Sequence, residues 1–184
     1  MVKKWYNLEY EIVLTLIAKD SHVRMLAVEL KEPHSSVLRK LGEMKQKQIV
    51  DYRTEGKNKV YYLKKNIFVQ KSVINAENYK LLKIADKHPF LSVLFKEVIS
   101  NSDSPLIILF GSYAKGISKE DSDIDIFVES KSIAEKRKIQ DLHHKLSLKI
   151  GILEKDSLLG KEIIKNHAIL KGAELYYEKI GFFK

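Results

Sequence analysis

In the stretch LFGSYAKGISKEDSDIDIFVE, residues 109–129, Asp123 and Asp125 stand one residue apart at the head of an apolar run. A buried carboxylate is costly unless it is paired or coordinated. Side chains alternate along a strand, so Asp123, Asp125 and Phe127 share one face, and Ile124, Ile126 and Val128 the other. Two converging carboxylates suit Mg²⁺ or Mn²⁺, hard cations that complete their shell with water and phosphate oxygens. Upstream, the continuous apolar run SPLIILF predicts a central strand that ends at Gly111-Ser112. Gly111 lets the chain turn sharply and approach a ligand. Ser112 is expected to cap a short helix that Gly116 ends. A phosphate-binding turn beside a metal site is the layout phosphoryl transfer needs. Asp121, Asp123 and Asp125 also have the alternate spacing of a calcium loop. Such a loop needs Gly after the third acid and Glu at its twelfth position, where this chain has Ile126 and Ser132.

The pattern GSYAKG, five residues, then SDIDI resembles the nucleotidyltransferase motif of the DNA polymerase beta superfamily. It is most similar to the small stand-alone minimal nucleotidyltransferases of prokaryotes. The resemblance covers about residues 88–178, including NHAILKGAELYYE as the terminal strand. It implies that Gly111 and Ser112 hold the triphosphate of an NTP such as ATP and that Lys115 helps neutralise it. Asp123 and Asp125 would be the catalytic metal ligands. Active members carry a third carboxylate on the strand after the next helix. Here that helix is expected to be IAEKRKIQDLHHKLS, with His143 and His144 inside it. The strand is expected to be LKIGILE, with Gly151 at the matching position; Glu154 would face the other side and Asp156 lie beyond the strand. Without a third acid, activating an attacking hydroxyl is harder.

These residues need elements to position them. PFLSVLFKEVIS repeats its apolar residues at Leu91, Leu94, Phe95 and Val98, the period of a helix with one inward face. Further upstream, YNLEYEIVLTLIAK and HVRMLAVELK read as two helices. EPHSSVLRKLGEMKQKQIV reads as a third, with Pro33 at its start, Ser35 as N-cap, and Val37, Leu41 and Met44 on one face. IVDYR and KVYYL then flank TEGKNK as a hairpin with a basic tip. Three helices and a basic hairpin over about residues 5–65 resemble the winged helix-turn-helix domains. The resemblance implies that Ser35, Ser36, Arg39 and Lys40 face double-stranded DNA and that Arg53, Lys57 and Lys59 contact phosphates. Residues 1–72 hold 15 of the 33 Lys and Arg but 8 of the 24 Asp and Glu, a net of +7 against +2 for the remainder. That asymmetry favours a polyanion over the dimerisation and protein-docking uses of the same fold.

The expected architecture is therefore α+β in two domains. Residues 1–66 form a winged helix, 67–87 a helical linker, and 88–184 a small mixed sheet with helices. The chain of 184 residues has no cysteine, which excludes disulfides and thiolate metal sites. No apolar run approaches the ~18 residues of a membrane span, and MVKKWYNLEYE has no signal-peptide core. A cytoplasmic protein without a membrane partner is expected. Its leading function is Mg²⁺-dependent NTP binding with transfer of a nucleotidyl group to a hydroxyl. The alternative is a DNA-binding regulator whose second domain is catalytically weak and senses nucleotide or mediates assembly, as a homodimer or as the antitoxin of a HEPN-type toxin.

Overall fold

A computed structural model describes residues 6–183. The start MVKKW and Lys184, both within the domains expected from sequence, lie outside the described residues. The chain divides into two compact units, one running to Tyr79 and the other from Lys80 to Phe182.

In the first unit, α1 (Leu8–Ala18) is capped by Asn7, whose Oδ1 accepts from the backbone N–H groups of Glu9 and Tyr10. A two-residue strand β1 (Ser21–His22) precedes α2 (Val23–Leu30). Helix α3 (His34–Gln46) starts two residues earlier than the sequence suggests. Pro33 is its N-cap, and Ser35 lies inside the first turn. Proline has no N–H to lose and already holds the extended conformation a cap requires. Ile12, Val13, Leu16, Leu26, Val37, Leu41 and Met44 are buried, one inward face per helix. Strands β2 (Val50–Glu55) and β3 (Asn58–Leu63) pair up to Glu55↔Asn58. The hairpin is thus tighter than expected, with only Gly56 and Lys57 in its turn. β1 adds to the far side of β3, giving the order β1-β3-β2. Three helices, a short strand and a two-stranded wing in this order are the winged helix-turn-helix architecture.

Helix α4 (Ile67–Lys87) is one continuous helix whose first half belongs to this unit. Val69, Val73, Ala76 and Tyr79 are buried. The Tyr79 hydroxyl donates to Glu11 Oε1 at 2.5 Å and accepts from the Asn7 backbone N–H at 3.2 Å.

The second unit is a four-stranded mixed sheet with helices. After α5 (Pro89–Ser100) come β4 (Ile107–Leu109), α6 (Gly111–Lys115) and β5 (Ile124–Glu129). Then follow α7 (Ile133–Gln140), β6 (Leu146–Gly151), α8 (Leu158–Lys165), β7 (Ala168–Lys171) and α9 (Ala173–Lys179). The strand order is β6-β5-β4-β7, with β5 and β6 parallel and the other pairs antiparallel. Ile107, Leu109, Ile124, Ile126 and Val128 form one core with Leu91, Leu94, Phe95 and Val98 of α5. Helix α7 stops at Gln140, earlier than its sequence suggests. The Gln140 side chain donates to the Leu146 carbonyl at 2.8 Å, folding residues 141–145 back as a turn. His143 and His144 therefore lie in that turn and not in a helix. The terminal NHAILKGAELYYE is a four-residue strand and a helix, broken at Gly172. Gly172 has φ +83°, and a Cβ there would meet the Pro105 carbonyl oxygen at 2.1 Å. Among the described residues no helix is long and apolar enough to cross a membrane.

Candidate functional site

The site begins with the register of β4 against β5. Leu109 pairs with Ile126, and the Phe110 N–H donates to the Asp125 carbonyl at 2.9 Å. Gly111 therefore follows directly beside Asp125. Its backbone is left-handed, φ +68°, and a Cβ on it would lie 2.0 Å from Asp125 Oδ2 and 2.9 Å from Cγ. The carboxylate occupies the space where any other residue would place its side chain. Phe110, not Ser112, is the N-cap of α6; Ser112 stands in the first turn, and Gly116 closes the helix at φ +73°. Lys115, at the last position, reaches Glu162 of α8, Nζ to Oε1 at 3.4 Å.

Asp123 is exposed, one residue before β5, and Asp125 is half-buried within it. Burial raises the Asp125 carboxyl above the usual aspartate range, and the charges of Asp123 and Glu162 push it the same way. A hydrogen bond from the Ser147 side chain and the charge of Lys149 act in the opposite direction. Gly111, Ser112, Lys115, Asp123 and Asp125 are thus gathered at one end of the second unit.

Gly151 is not across from them. In the parallel β5/β6 ladder Asp125 pairs with Ser147, and Gly151 pairs with Glu129, four residues further along. Gly151 shares the sheet face of Asp125 but stands at the other end of the strands, about 13 Å away at the rise of an extended chain. The error in the sequence expectation lies in the strand's start. β6 begins at Leu146, not Leu148, and its alternation LSLKI places Ser147 and Lys149 on the Asp125 face. That alternation was the signal available for Ser147 and Lys149. Glu162 had none, because its meeting with Lys115 depends on where α8 packs. Among the described residues no three acidic or imidazole side chains come together in a way that could hold a metal. A cation at Asp123 and Asp125 would draw its remaining ligands from water and phosphate, which suits Mg²⁺.

The seven residues expected to meet DNA all lie in the first unit. Ser35 and Arg39, four apart on α3, are exposed; Ser36 and Lys40 are half-buried. Arg39 and Lys40 are both ion-paired with Glu43, the second at 2.5 Å. Arg53 on β2 is paired with Asp20 and, at 2.7 Å, with Glu55. Lys57 is exposed in the turn, and the Lys59 ammonium stands 4.4 Å from the centre of the Tyr52 ring.

Two outcomes test the geometry. Gly111→Ala should cost more than 2 kcal/mol in urea unfolding, the sum of left-handed strain and a clash. Much of that cost should vanish in an Asp125→Ala background, so the double-mutant cycle should show coupling of about 1 kcal/mol or more. The raised Asp125 carboxyl means the folded metal-free protein holds its proton more tightly than the unfolded chain. Its contribution is full below the ordinary aspartate range and is lost as pH rises through the raised value. Urea midpoints measured from pH 4 upward without metal should fall more steeply for the wild type than for Asp125→Asn.

Residues 91–172 match the family described as the nucleotidyltransferase domain. No curated protein matches the chain. Among solved structures, the chain is similar to the transcriptional repressor BigR from Xylella fastidiosa at 21% identity and a TM-score of 0.35, covering 36% of this chain and 66% of that one. The chain thus spans just under two thirds of the length of BigR. ZitR from Lactococcus lactis is similar at 14% identity and a TM-score of 0.37, covering 53% and 77%. A toxin–antitoxin crystal structure with AMP-PNP is similar at 24% identity and a TM-score of 0.35, covering 58% and 86%. With the Gly-Ser turn and paired aspartates in place within the matched segment, the second unit carries a nucleotidyltransferase domain, joined in one chain to a winged helix-turn-helix domain.

Proposed function

We propose that the second unit binds an NTP with Mg²⁺ and transfers its nucleotidyl group to a hydroxyl, and that the first unit binds duplex DNA. The observation that carries the nucleotide site is the Asp125 carboxylate seated against Gly111, with Asp123 adjacent and Lys115 on the same short helix. Asp123 and Asp125 would hold the metal, which supplies charge neutralisation and orients the phosphates. The backbone at Gly111 and Ser112 would position the triphosphate. Lys115 would exchange the Glu162 carboxylate for phosphate, an inexpensive step because exposed pairs contribute little. In the transfer, the acceptor oxygen bonds to the α-phosphorus, the bond from that phosphorus to the bridging oxygen breaks, and pyrophosphate leaves. The hydroxyl proton passes to water.

A second function is favoured by one feature, the Ser147 side chain opposite Asp125 with Lys149 on the same face. Neither can take a proton as a carboxylate does, so nucleotide binding with slow transfer fits a regulator that senses nucleotide. The two functions separate in one set of variants. Asp123→Asn with Asp125→Asn should abolish Mg²⁺-dependent NTP binding while the fold remains. Ser147→Asp should raise Mg²⁺ affinity and labelled-NTP transfer about tenfold or more, and Gly151→Asp should change neither. Unaltered Mg²⁺-dependent NTP affinity in the double Asn variant would remove the site.

For DNA, the supporting features are the exposed face of α3, the basic wing and the local charge excess. Arg39, Lys40 and Arg53 already sit on carboxylates, so binding would trade those for phosphates. Arg39→Ala with Lys40→Ala should weaken duplex binding about tenfold and flatten its salt dependence, more than Lys161→Ala with Lys165→Ala. Glu43→Gln should strengthen binding by releasing both cations. Equal losses from the two basic pairs in a fluorescence-anisotropy titration would leave only non-specific attraction.

A further inference from the structure

The nucleotide site accounts for neither the rings nor the cations gathered at the turn between α7 and β6. His143 stacks on Phe90 at 6.4 Å with an interplanar angle of 27°, and His144 stacks on His143 at 4.6 Å and 21°. The ladder is anchored from below. Phe90 meets Tyr113 edge-on at 6.2 Å, and His88 meets Tyr113 at 5.1 Å. His143 Nδ1 accepts from the Lys145 backbone N–H at 3.1 Å, which fixes its ring. Phe90 is 45% exposed and His144 is exposed, so the outer ring faces are open to a planar group.

Its position relates it to the metal-binding end. The Ile124 N–H donates to the Lys145 carbonyl at 2.8 Å, so the turn holding His143 and His144 abuts the strand end that carries Asp123. Two lysines hold the loop between α6 and β5 from either side. Lys87 Nζ donates to the Gly116 carbonyl at 3.2 Å, and Lys145 Nζ to the Glu120 carbonyl at 2.6 Å. Both hydrogen bonds go to neutral oxygens, which leaves the ammonium charges available to phosphate. Glu120 and Asp121 are exposed on the same loop and limit the local positive field. Stacked rings beside a few cations, without a broad basic surface, suit a single base with its phosphate better than a long duplex.

We propose that Phe90, His143 and His144 form a stacking platform for a nucleobase at the mouth of the transferase site. This rests on the nucleotide site described above and adds the class of group held next to it. The base belongs either to the bound NTP or to a single-stranded acceptor end whose terminal hydroxyl lies near Asp123.

The test follows the imidazole C2 protons of His143 and His144 by NMR, with affinities measured in parallel. The titrants are ATP, inorganic tripolyphosphate and a short oligoadenylate, each with Mg²⁺ and with EDTA. ATP or oligoadenylate should shift the ring protons upfield, and tripolyphosphate should not. Phe90→Leu and His144→Ala should each weaken binding about 5- to 10-fold, and His144→Tyr should keep it. A loss confined to ATP assigns the base of the NTP, and a loss confined to oligoadenylate assigns the acceptor. Unchanged affinities for both ligands, or an equal loss for tripolyphosphate, would overturn the platform. Stacking in EDTA is read independently of the metal. Failure of the Asp123 and Asp125 site would appear as lost Mg²⁺ dependence with ring shifts intact.

Discussion

The contact of the Asp125 carboxylate with the bare Cα of Gly111 is the constraint on which the second unit turns. It requires glycine at a left-handed position, β4 ending two residues earlier at Leu109, and antiparallel register placing Phe110 opposite Asp125. It also holds a carboxyl in a place that disfavours its charge, beside Asp123 and within the field of Glu162. The fold offsets this locally through the Ser147 hydrogen bond and Lys149. A carboxyl perturbed by burial and by specific neighbours in this way marks a candidate functional site.

Cations in both units are held by carboxylates at the surface. Arg39 and Lys40 share Glu43, Arg53 bridges Asp20 and Glu55, and Lys115 holds Glu162. All are exposed or partly exposed pairs, the kind that contributes little to stability. Lys87 and Lys145 differ, since backbone carbonyls and not carboxylates orient them. The cations of these pairs are thus held at the surface by carboxylates, whereas those at the α6–β5 loop are held by carbonyls.

The first unit shows how far local pattern carries. Its helices bury Ile12, Leu26, Val37, Leu41 and Met44 at helical spacing, and its hairpin is marked by β-branched and aromatic runs around Gly56. Departures occur at boundaries. Pro33 replaces Ser35 as the cap, and Thr54, Glu55 and Asn58 join the strands. Caps and strand ends depend on hydrogen bonds to a partner, which intrinsic preference sees only weakly.

Sequence alone determined the Gly-Ser turn, the two aspartates and their spacing, the buried faces of the helices, and the alternation that sets Asp125 against Ile124 and Ile126. These rest on residue chemistry and on periods of 2 and 3.6. Tertiary structure alone decided which β6 residue faces Asp125. Parity places Ser147, Lys149 and Gly151 on one face, but only the register, shifted by steps of two without changing that face, selects Ser147 and sends Gly151 to Glu129. It likewise decided the meeting of Lys115 with Glu162 and the stacking of Phe90 on His143, contacts across 47 and 53 residues. Such contacts are set by how helices and turns pack on the sheet, a non-local outcome that no window along the chain contains.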